Sequence, residues 1–439
     1  MQDALLYVGA GLSLLALALL LVKPLWGLMA IFIARPIVDT TWAQSLVFDF
    51  KLTELVSTLV PLVVFARMFV DGGDRRPLRD MPLKWIWLIW SADVLIFSSN
   101  IMLSEDWRAG LQALMRHLNG VAGFYMVQAY CRSDEDFLRF SWAMAIAGLF
   151  PMATGVIEGV TGRHWSITLG EDNVIRNIGL YHDAITIRYY ALQTLMSLLL
   201  IMSLKKRSAA VTLFCIGYGL AAVFVIKGAY SKSGFLTLGA WVILWPILRR
   251  SAKGVMSVAA TACVVALYFS KEIMSSAGFV FTKEIAAVQG TGGVEHAFAG
   301  RWYLWADMLN EWRSLDPVAQ FFGAGHLAIY AHNDYLQILF HGGLVGLAIY
   351  LTLLCAVGWA IVSLVIKKAD IWAIAALFAF IMWLVDTMGL VPSAYSGYQW
   401  FVWGTIGFCL RRRRDPQFDT EDVAVPAQPP RFANLMGAV

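Results

Sequence analysis

Apolar residues occur along the chain in long runs, separated by short polar stretches that carry most of the charge. A run of about 18 residues or more is long enough to cross a bilayer as a helix. Such runs predict membrane spans near 5–22, 25–38, 53–70, 83–100, 108–130, 137–157, 184–204, 209–226, 233–249, 254–270, 333–363, 370–391 and 396–410. The second is short and interrupted by Lys23-Pro24 and Arg35-Pro36, so we predict about 12 spans, or 13 if it crosses. The predicted fold class is an all-α polytopic membrane protein.

Composition agrees with this class and argues against several others. Hydrophobic residues make up 59% of the chain and charged residues 15%, whereas a soluble protein of this size would show more amphipathic periodicity. No Gly-rich phosphate loop follows a strand and no soluble domain is predicted, which argues against nucleotide binding. The five cysteines lie in apolar segments without a CxxC pair, so we interpret them as packed thiols. The first apolar run lacks a cleavage site and is interpreted as a retained helix.

Basic residues predict the orientation of the chain, because cytoplasmic loops of membrane proteins are enriched in Lys and Arg. They cluster in alternate loops, at Arg75, Arg76 and Arg79; Arg132 and Arg139; Lys205-Lys206-Arg207; Arg249, Arg250 and Lys253; Lys367-Lys368; and Arg411–Arg414. With these loops inside, a single polytopic domain, residues 1–410, is followed by a cytoplasmic, disordered tail, residues 411–439. Two longer segments, 158–183 and 271–331, then face the outer side.

The longer outer segment contains a candidate interfacial helix. The residues that recur at helical spacing in it are Trp302, Trp305, Leu309 and Trp312. Tryptophan is enriched where membrane meets water, so we expect an amphipathic helix lying in the headgroup region.

Basic residues on the outer side run against the charge rule, which makes them candidate site residues. They are Arg163, Arg176, Arg188, Lys227, Lys232, Arg301 and Arg313, with His164 and His182 beside the first of them. Several cations converging on one cavity would bind a phosphate or diphosphate, because arginine holds phosphate oxygens in a planar fork. The alternative is that a lone cation at a helix end reaches lipid phosphate, and we favour it for Arg163, Arg188 and Arg313.

The stretch 321–350 combines a glycine-rich turn, histidines and the start of a long apolar helix. Asp334, with Gln337 three residues on, matches a capping-box pattern. That pattern puts His332 at the mouth of a helix N-terminus, where outward-pointing N–H groups and the helix dipole favour an anion. A proton-accepting imidazole at such a position is a candidate catalytic group.

A metal site in the same stretch is not expected. Its candidate ligands are His326, His332, Asp334 and His341. No histidine pair among them has the four-residue spacing of a helical zinc motif. We assign structural roles to His296, His326 and His341, and close helix packing to Gly342 and Gly346.

Three blocks of sequence occur in order within residues 176–350. They are Arg176-Asn177-Ile178-Gly179-Leu180-Tyr181-His182; Tyr230-Ser231-Lys232-Ser233-Gly234; and a block from Gly300-Arg301 through Trp305 and Gly323-Ala324-Gly325 to His332-Asn333-Asp334-Tyr335-Leu336 and Gly343-Leu344-Val345-Gly346. In these blocks the chain resembles the O-antigen ligase and O-antigen polymerase family of integral membrane glycosyltransferases. Lys232 stands where that family usually has arginine, and lysine lacks the two-pronged contact with phosphate.

The resemblance implies metal-independent, inverting glycosyl transfer from an undecaprenyl-diphosphate-linked glycan to an acceptor sugar hydroxyl. The reaction would take place at the periplasmic face of a bacterial inner membrane, among membrane lipids. The implied roles are His332 as catalytic base; Arg301, Lys232 and Arg176 as ligands of the lipid diphosphate; and Asn333, His182 and Arg188 as supporting residues. Neither a cofactor nor a nucleic acid is expected.

The acceptor distinguishes the activities that this resemblance leaves open. We favour an O-antigen ligase of lipopolysaccharide biosynthesis, which uses lipid A-core as acceptor, because the outer segment 271–331 could cover a bulky second lipid. The alternative is a polysaccharide polymerase that extends O-antigen, capsule or exopolysaccharide on lipid-linked repeat units. A transporter or flippase is a third alternative. It predicts charged or broken helices at mid-bilayer in two related halves, whereas the charges here gather at the outer mouth.

Overall fold

A computed structural model describes residues 2–47, 50–70, 79–166, 168–169, 175–250, 301–327 and 332–412, with isolated positions between 256 and 290. Several predictions therefore lie outside the described residues. They concern the span 254–270, the outer segment before residue 301, the tail beyond residue 412, and Arg75, Arg76, Lys253 and His296.

The described chain is almost entirely helical. Its α-helices are α1 (Gln2–Val22), α2 (Pro24–Asp39), α3 (Leu52–Val70), α4 (Lys84–Ser104), α5 (Trp107–Tyr130), α6 (Asp134–Ala147), α7 (Leu149–Thr161), α8 (Ala184–Leu204), α9 (Ala209–Gly228), α10 (Lys232–Leu248), α11 (Arg301–Ser314), α12 (Pro317–Phe322), α13 (Asp334–Lys367), α14 (Ile371–Gly389) and α15 (Ser396–Arg412). Two short antiparallel hairpins pair β1 (Ser45–Val47) with β2 (Phe50–Lys51), and β3 (Thr168–Leu169) with β4 (Ile175–Arg176).

Seven helical segments in the described part of the chain are long and apolar enough to cross a membrane. They are α1, α4, α6 together with α7, α8, α9, α13 and α14. This confirms the coarse prediction of an all-α membrane protein. Two predicted spans differ in detail from the observed helices. The span 137–157 is divided at Gly148 into α6 and α7. The pair Arg35-Pro36 was expected to interrupt the second span, but α2 continues through it to Asp39.

The contact between α5 and α15 depends on glycine. A Cβ atom on Gly123 would lie 2.7 Å from the Cα atom of Trp400, and one on Gly404 would lie 2.4 Å from a methyl group of Val127. Small residues let helix backbones approach closely in an apolar bundle, where van der Waals packing contributes much of the association. This contact fixes α5 beside the segment that joins α14 to α15.

The turn before α13 docks on that helix through two more glycines. Gly323 has φ +104° and Gly343 has φ +66°, and a Cβ atom on Gly343 would lie 2.3 Å from the backbone of Phe321. Gly343 kinks α13 at this point. Farther along the same face, Gly346 approaches Asp93 of α4, where a Cβ atom would lie 3.1 Å from the carboxylate. The glycine-rich stretch is therefore built for close backbone packing.

The predicted cap of α13 is wrong. The N-cap is Asn333, whose side-chain oxygen accepts the backbone N–H of Leu336 at 3.1 Å. Asp334 is the first helical residue, and its buried carboxylate accepts the hydroxyl of Ser393 at 2.7 Å. The local pattern allowed either residue to cap, and the tertiary contact with Ser393 decided the outcome.

The tryptophans of α11 have different environments. Trp305 and Trp312 pack with Met308 against Phe340 of α13, whereas Trp302 is 48% exposed. Two of the three tryptophans predicted to lie at the membrane interface therefore attach α11 to the helix bundle.

We expect Gly343→Ala to destabilise the protein. Alanine at this backbone conformation costs about 1–3 kcal/mol, and its methyl group would also overlap the Phe321 backbone. Thermal unfolding in detergent measures the effect. Gly217→Ala is the matched control, because a Cβ atom there meets nothing within 4 Å. Equal melting temperatures for the two variants would contradict the assigned contact.

Candidate functional site

A cavity of about 1390 Å³ lies at one end of the helix bundle. It is lined by the N-terminal ends of α3, α5, α8, α10, α11 and α13, the C-terminal ends of α2 and α14, and the segment between α14 and α15. Five of the predicted site residues line it: Arg176, His182, Lys232, Arg301 and His332. The structure thus brings together side chains from three separate blocks of sequence.

His332 stands at the entrance to α13 in a strained backbone conformation. Its φ is +50°, which a residue with a side chain seldom adopts and which is typical of functional sites. The following residue, Asn333, caps α13 and donates its side-chain N–H to the carbonyl of Met388 at 3.4 Å. Asn333 therefore ties the start of α13 to the end of α14, and this fixes the backbone on which His332 is mounted.

The pKa of His332 lies below the usual imidazole value of 6.5. Burial is the main cause and the positive charge of Arg301 adds to it, while the negative charge of Asp183 acts in the opposite direction. Because the charged form is disfavoured, His332 is neutral at pH 7 and one of its ring nitrogens can accept a proton.

Arg301 is the first residue of α11 and reaches the end of α14. Its guanidinium donates to the carbonyl oxygen of Gly389, the last residue of α14. Cations are favoured at helix C-termini, because the carbonyl groups there carry partial negative charge. This contact holds Arg301 in the cavity that His332 also lines. Through Arg301, the start of α11 becomes part of the cavity wall.

A buried carboxylate holds the loop that carries Arg176 and His182. Glu158, fully buried near the end of α7, accepts a hydrogen bond from the backbone N–H of Gly179. The same carboxylate is hydrogen-bonded to the ring of His164 at 2.9 Å. Asn177 also donates its backbone N–H to the carbonyl of Gly228 at 2.9 Å. These contacts place the loop next to the first residues of α8 and the last residue of α9.

Asp183 is a site residue that the sequence did not single out. It caps α8 through the backbone N–H of Thr186 at 2.8 Å and accepts the hydroxyl of Tyr395 at 2.6 Å. Burial opposes its ionisation, but hydrogen bonds from His182, Tyr395 and Thr186 outweigh this and lower the pKa of Asp183. The hydrogen bond with Asp183 in turn raises the pKa of His182, whose ring lies 4.2 Å from that of Trp42.

Arg188 lies below the cavity and is completely buried. It forms a two-pronged ion pair with Asp386 at 2.6 and 3.0 Å and also donates to the hydroxyl of Ser233. Tyr398 donates to the same carboxylate at 2.7 Å. The interpretation of Arg188 as a residue that reaches lipid phosphate is therefore wrong. The contact of Arg188 with Ser233 links the ion pair to the start of α10, because Ser233 follows Lys232 there.

Other cavity residues were missed by the sequence analysis. The basic ones are Arg35, Lys51, Arg108 and Arg116, and the acidic ones are Asp39, Glu54 and Asp106. Arg35 is neutralised by Asp39 at 2.8 Å, and Asp39 also accepts the hydroxyls of Tyr189 and Tyr190. A usable signal was present, since Arg35 and Asp39 are four residues apart within an apolar helix. Arg108, Gln112 and Arg116 repeat that spacing on α5.

The remaining sequence candidates lie away from the cavity. Arg163, Lys227 and Arg313 are exposed, while His326 contacts Phe340 and the carbonyl of Ala324, and His341 is buried. Among the residues that the structure describes, no group of three or more His, Cys, Asp and Glu side chains has the arrangement of a metal site. No protein-family model matches the chain, and no curated protein is detectably similar to it.

We expect single substitutions in the Arg188–Asp386 pair to be far more damaging than the double substitution. Removing one partner of a buried pair leaves an uncompensated charge and costs about 3–5 kcal/mol, whereas apolar residues at both positions are often tolerated. Thermal unfolding of Arg188→Met, Asp386→Leu and the double variant measures the coupling. Arg139→Met is the control, because Arg139 pairs with Glu135 at the surface and such pairs contribute about 0.5 kcal/mol. Additive single effects would contradict the buried pair.

We expect His332 to titrate below pH 6.5, and Arg301→Gln to raise its pKa. Loss of the neighbouring positive charge makes the imidazolium form less unfavourable, so the midpoint moves to higher pH. Histidine NMR signals of the detergent-solubilised protein report this titration, with His332→Gln assigning the signal. Arg313→Gln, at the exposed end of the same helix, should leave the midpoint unchanged. An Arg301→Gln midpoint at or below the wild-type value would contradict the coupling.

Proposed function

We propose that the protein is an inverting, metal-independent membrane glycosyltransferase that uses an undecaprenyl-diphosphate-linked glycan as donor. The observation that carries this proposal is that a histidine and several cations line one large cavity at the ends of apolar helices. A lipid diphosphate combines an apolar tail with a doubly charged headgroup, and both parts find complementary surfaces there. The resemblance of the three sequence blocks to the O-antigen ligase and polymerase family supports the same conclusion.

Four of the cavity residues have roles in the proposed reaction. His332 accepts the proton of an acceptor sugar hydroxyl as that oxygen attacks the anomeric carbon of the donor. The bond between this carbon and the diphosphate oxygen breaks, the anomeric configuration inverts, and undecaprenyl diphosphate leaves with the bonding electrons. Arg301, Lys232 and Arg176 stabilise the negative charge on the leaving diphosphate. His332 can accept the proton because its pKa is lowered by burial and by Arg301.

We further propose that the cavity faces the periplasm of an inner membrane. Helices that begin at the cavity are followed at their other ends by basic residues. Such residues are Arg132 after α5, Lys205-Lys206-Arg207 after α8, Arg249-Arg250 after α10, Lys367-Lys368 at α13 and Arg411-Arg412 in α15. By the positive-inside rule these ends are cytoplasmic, so the cavity opens on the opposite side. The proposed topology has about 12 spans, or 13.

The favoured acceptor is lipid A-core, which makes the protein an O-antigen ligase. A polymerase would use the same donor, base and cavity, with a lipid-linked repeat unit as acceptor. Deletion of the gene and gel analysis of lipopolysaccharide separate the two. Unmodified core with glycan accumulating on undecaprenyl diphosphate identifies a ligase. Core with a single repeat unit, or loss of secreted polymer with normal lipopolysaccharide, identifies a polymerase.

We expect His332→Ala to abolish glycan transfer when it replaces the wild-type protein in the deletion strain. General-base catalysis contributes about 10²–10⁴-fold to a rate, so a residual activity below about 1% is expected. His326→Ala is the matched control, because His326 precedes the same helix but does not line the cavity. Immunoblots of membrane fractions check that both variants are inserted equally. Near-normal transfer by His332→Ala would remove this residue from the mechanism.

A further inference from the structure

The cavity is larger than a single headgroup requires. Its volume of about 1390 Å³ exceeds the roughly 300–1,000 Å³ of pockets that hold one small ligand. It also contains basic residues from two regions of the fold. Arg176, Lys232 and Arg301, the diphosphate cluster, belong to β4, α10 and α11. A second set lies on α5, which packs against α4 and α15, whereas α10 packs against α14.

The second set forms one face of α5. Arg108, Gln112 and Arg116 follow one another at four-residue intervals and all line the cavity. We call this face the α5 wall. Its two arginines are two helical turns apart, about 12 Å along the axis. That separation suits an extended ligand better than a single small ion.

The inner end of the α5 wall lies beside the start of α13. The side-chain amide of Gln399 donates to the carbonyls of both Arg116 and Ser393, each at 2.7 Å. Ser393 in turn donates to Asp334 at 2.7 Å, two residues after His332. Only two side chains therefore bridge the α5 backbone at Arg116 to the first residue of α13. The inner end of the α5 wall and His332, which precedes α13, therefore line the same part of the fold and the same cavity.

The outer end of the α5 wall is held by aromatic rings. The guanidinium carbon of Arg108 lies 5.1 Å from the ring centre of Phe50 and 5.5 Å from that of Trp107. Cation–π contacts of this kind stabilise a guanidinium at a partly exposed position. Phe50 also lines the cavity and offers an apolar ring surface beside the charge.

Two carboxylates, Glu54 and Asp106, also line the cavity near this wall. Glu54 accepts the backbone N–H of Lys51 at the start of α3, at 3.1 Å. Asp106 immediately precedes α5, where the positive end of the helix dipole favours a carboxylate. With Lys51, Arg108 and Arg116 nearby, cations outnumber acids on this side of the cavity.

We propose that the α5 wall is a second anion site, in which Arg108 and Arg116 bind phosphate or carboxylate groups carried by the acceptor glycan. This inference rests on the proposed function, because it divides the cavity into a donor side at the diphosphate cluster and an acceptor side at α5. It names the acceptor class as an anionic saccharide. Arg116 holds the acceptor at the depth of His332, and Arg108 holds a part of the glycan closer to the mouth.

Two probes test the division with the purified full-length protein in non-ionic detergent. Glucose 6-phosphate represents the acceptor anion, glucose is its neutral counterpart, and inorganic pyrophosphate represents the donor headgroup. Binding is measured by saturation-transfer NMR or titration calorimetry. We expect glucose 6-phosphate to bind more tightly than glucose and to remain bound in saturating pyrophosphate. Displacement by pyrophosphate, or equal binding of glucose, would overturn the second site without any variant.

Variants then assign the probes to residues. At least one of the variants Arg108→Gln and Arg116→Gln should weaken glucose 6-phosphate binding about tenfold, because the single phosphate of this probe contacts one of two arginines that lie about 12 Å apart. Neither variant should change pyrophosphate binding. Arg301→Gln combined with Lys232→Gln should do the reverse. Arg116→Lys should retain most of the glucose 6-phosphate affinity. Unchanged affinity in both α5 variants, or loss of both probes together in a variant with a normal size-exclusion profile, refutes the assignment.

The binding assay measures no glycan transfer. Its result can therefore contradict the second anion site without contradicting the proposed function, and the reverse also holds. Separate binding of both probes by a protein whose His332→Ala variant still transfers glycan would overturn the proposed base and leave the second anion site standing. A single shared anion site in a protein that loses transfer with His332→Ala would overturn the second site and leave the proposed function standing.

Discussion

The buried ion pair between Arg188 and Asp386 is the interaction on which the site depends most. It joins α8 to α14, and through Ser233 and Tyr398 it also engages α10 and α15. A charge in an apolar bundle is costly unless it is paired, and each unmet hydrogen-bonding group adds to that cost. The pair therefore favours an arrangement in which these four helices meet at one point. There the start of α10, with Lys232, lies next to the pair, because Ser233 accepts a hydrogen bond from Arg188.

Described arginines near the site interact with different kinds of group. Arg188 and Arg35 pair with carboxylates within the helical layer, Asp386 and Asp39, and so they contribute structure. Arg301 donates to a helix end, at the carbonyl of Gly389. After burial, the positive charge of Arg301 is the next cause of the lowered pKa of His332. Arg301 therefore affects the imidazole by its charge, whereas Arg188 and Arg35 hold helices together.

The sequence allowed the helices to be predicted well and the site in part, for different physical reasons. Each segment that crosses a bilayer must itself be long, apolar and helical. This property can be recognised within the segment alone, so the described spans coincide with helices. Convergence of Arg176, Lys232, Arg301 and His332 was expected from three blocks of sequence, and all four line one cavity. The pairing of charges was not predictable, because a partner is chosen by tertiary packing. Asp386, 198 positions from Arg188, gives no local sign of that contact.

The cap of α13 shows the same limit at the scale of single residues. Asn333 and Asp334 are both good capping residues, and either could have begun the helix. The Asp334 carboxylate is buried and accepts a hydrogen bond from the hydroxyl of Ser393. Asn333 is therefore the residue that caps the helix, through the backbone N–H of Leu336. His332 immediately precedes this cap, and its backbone has a positive φ. With Asp334 as the cap, His332 would lie one position farther from the helix. The tertiary contact at Ser393 therefore helps to fix the entrance to α13, where the His332 imidazole lies.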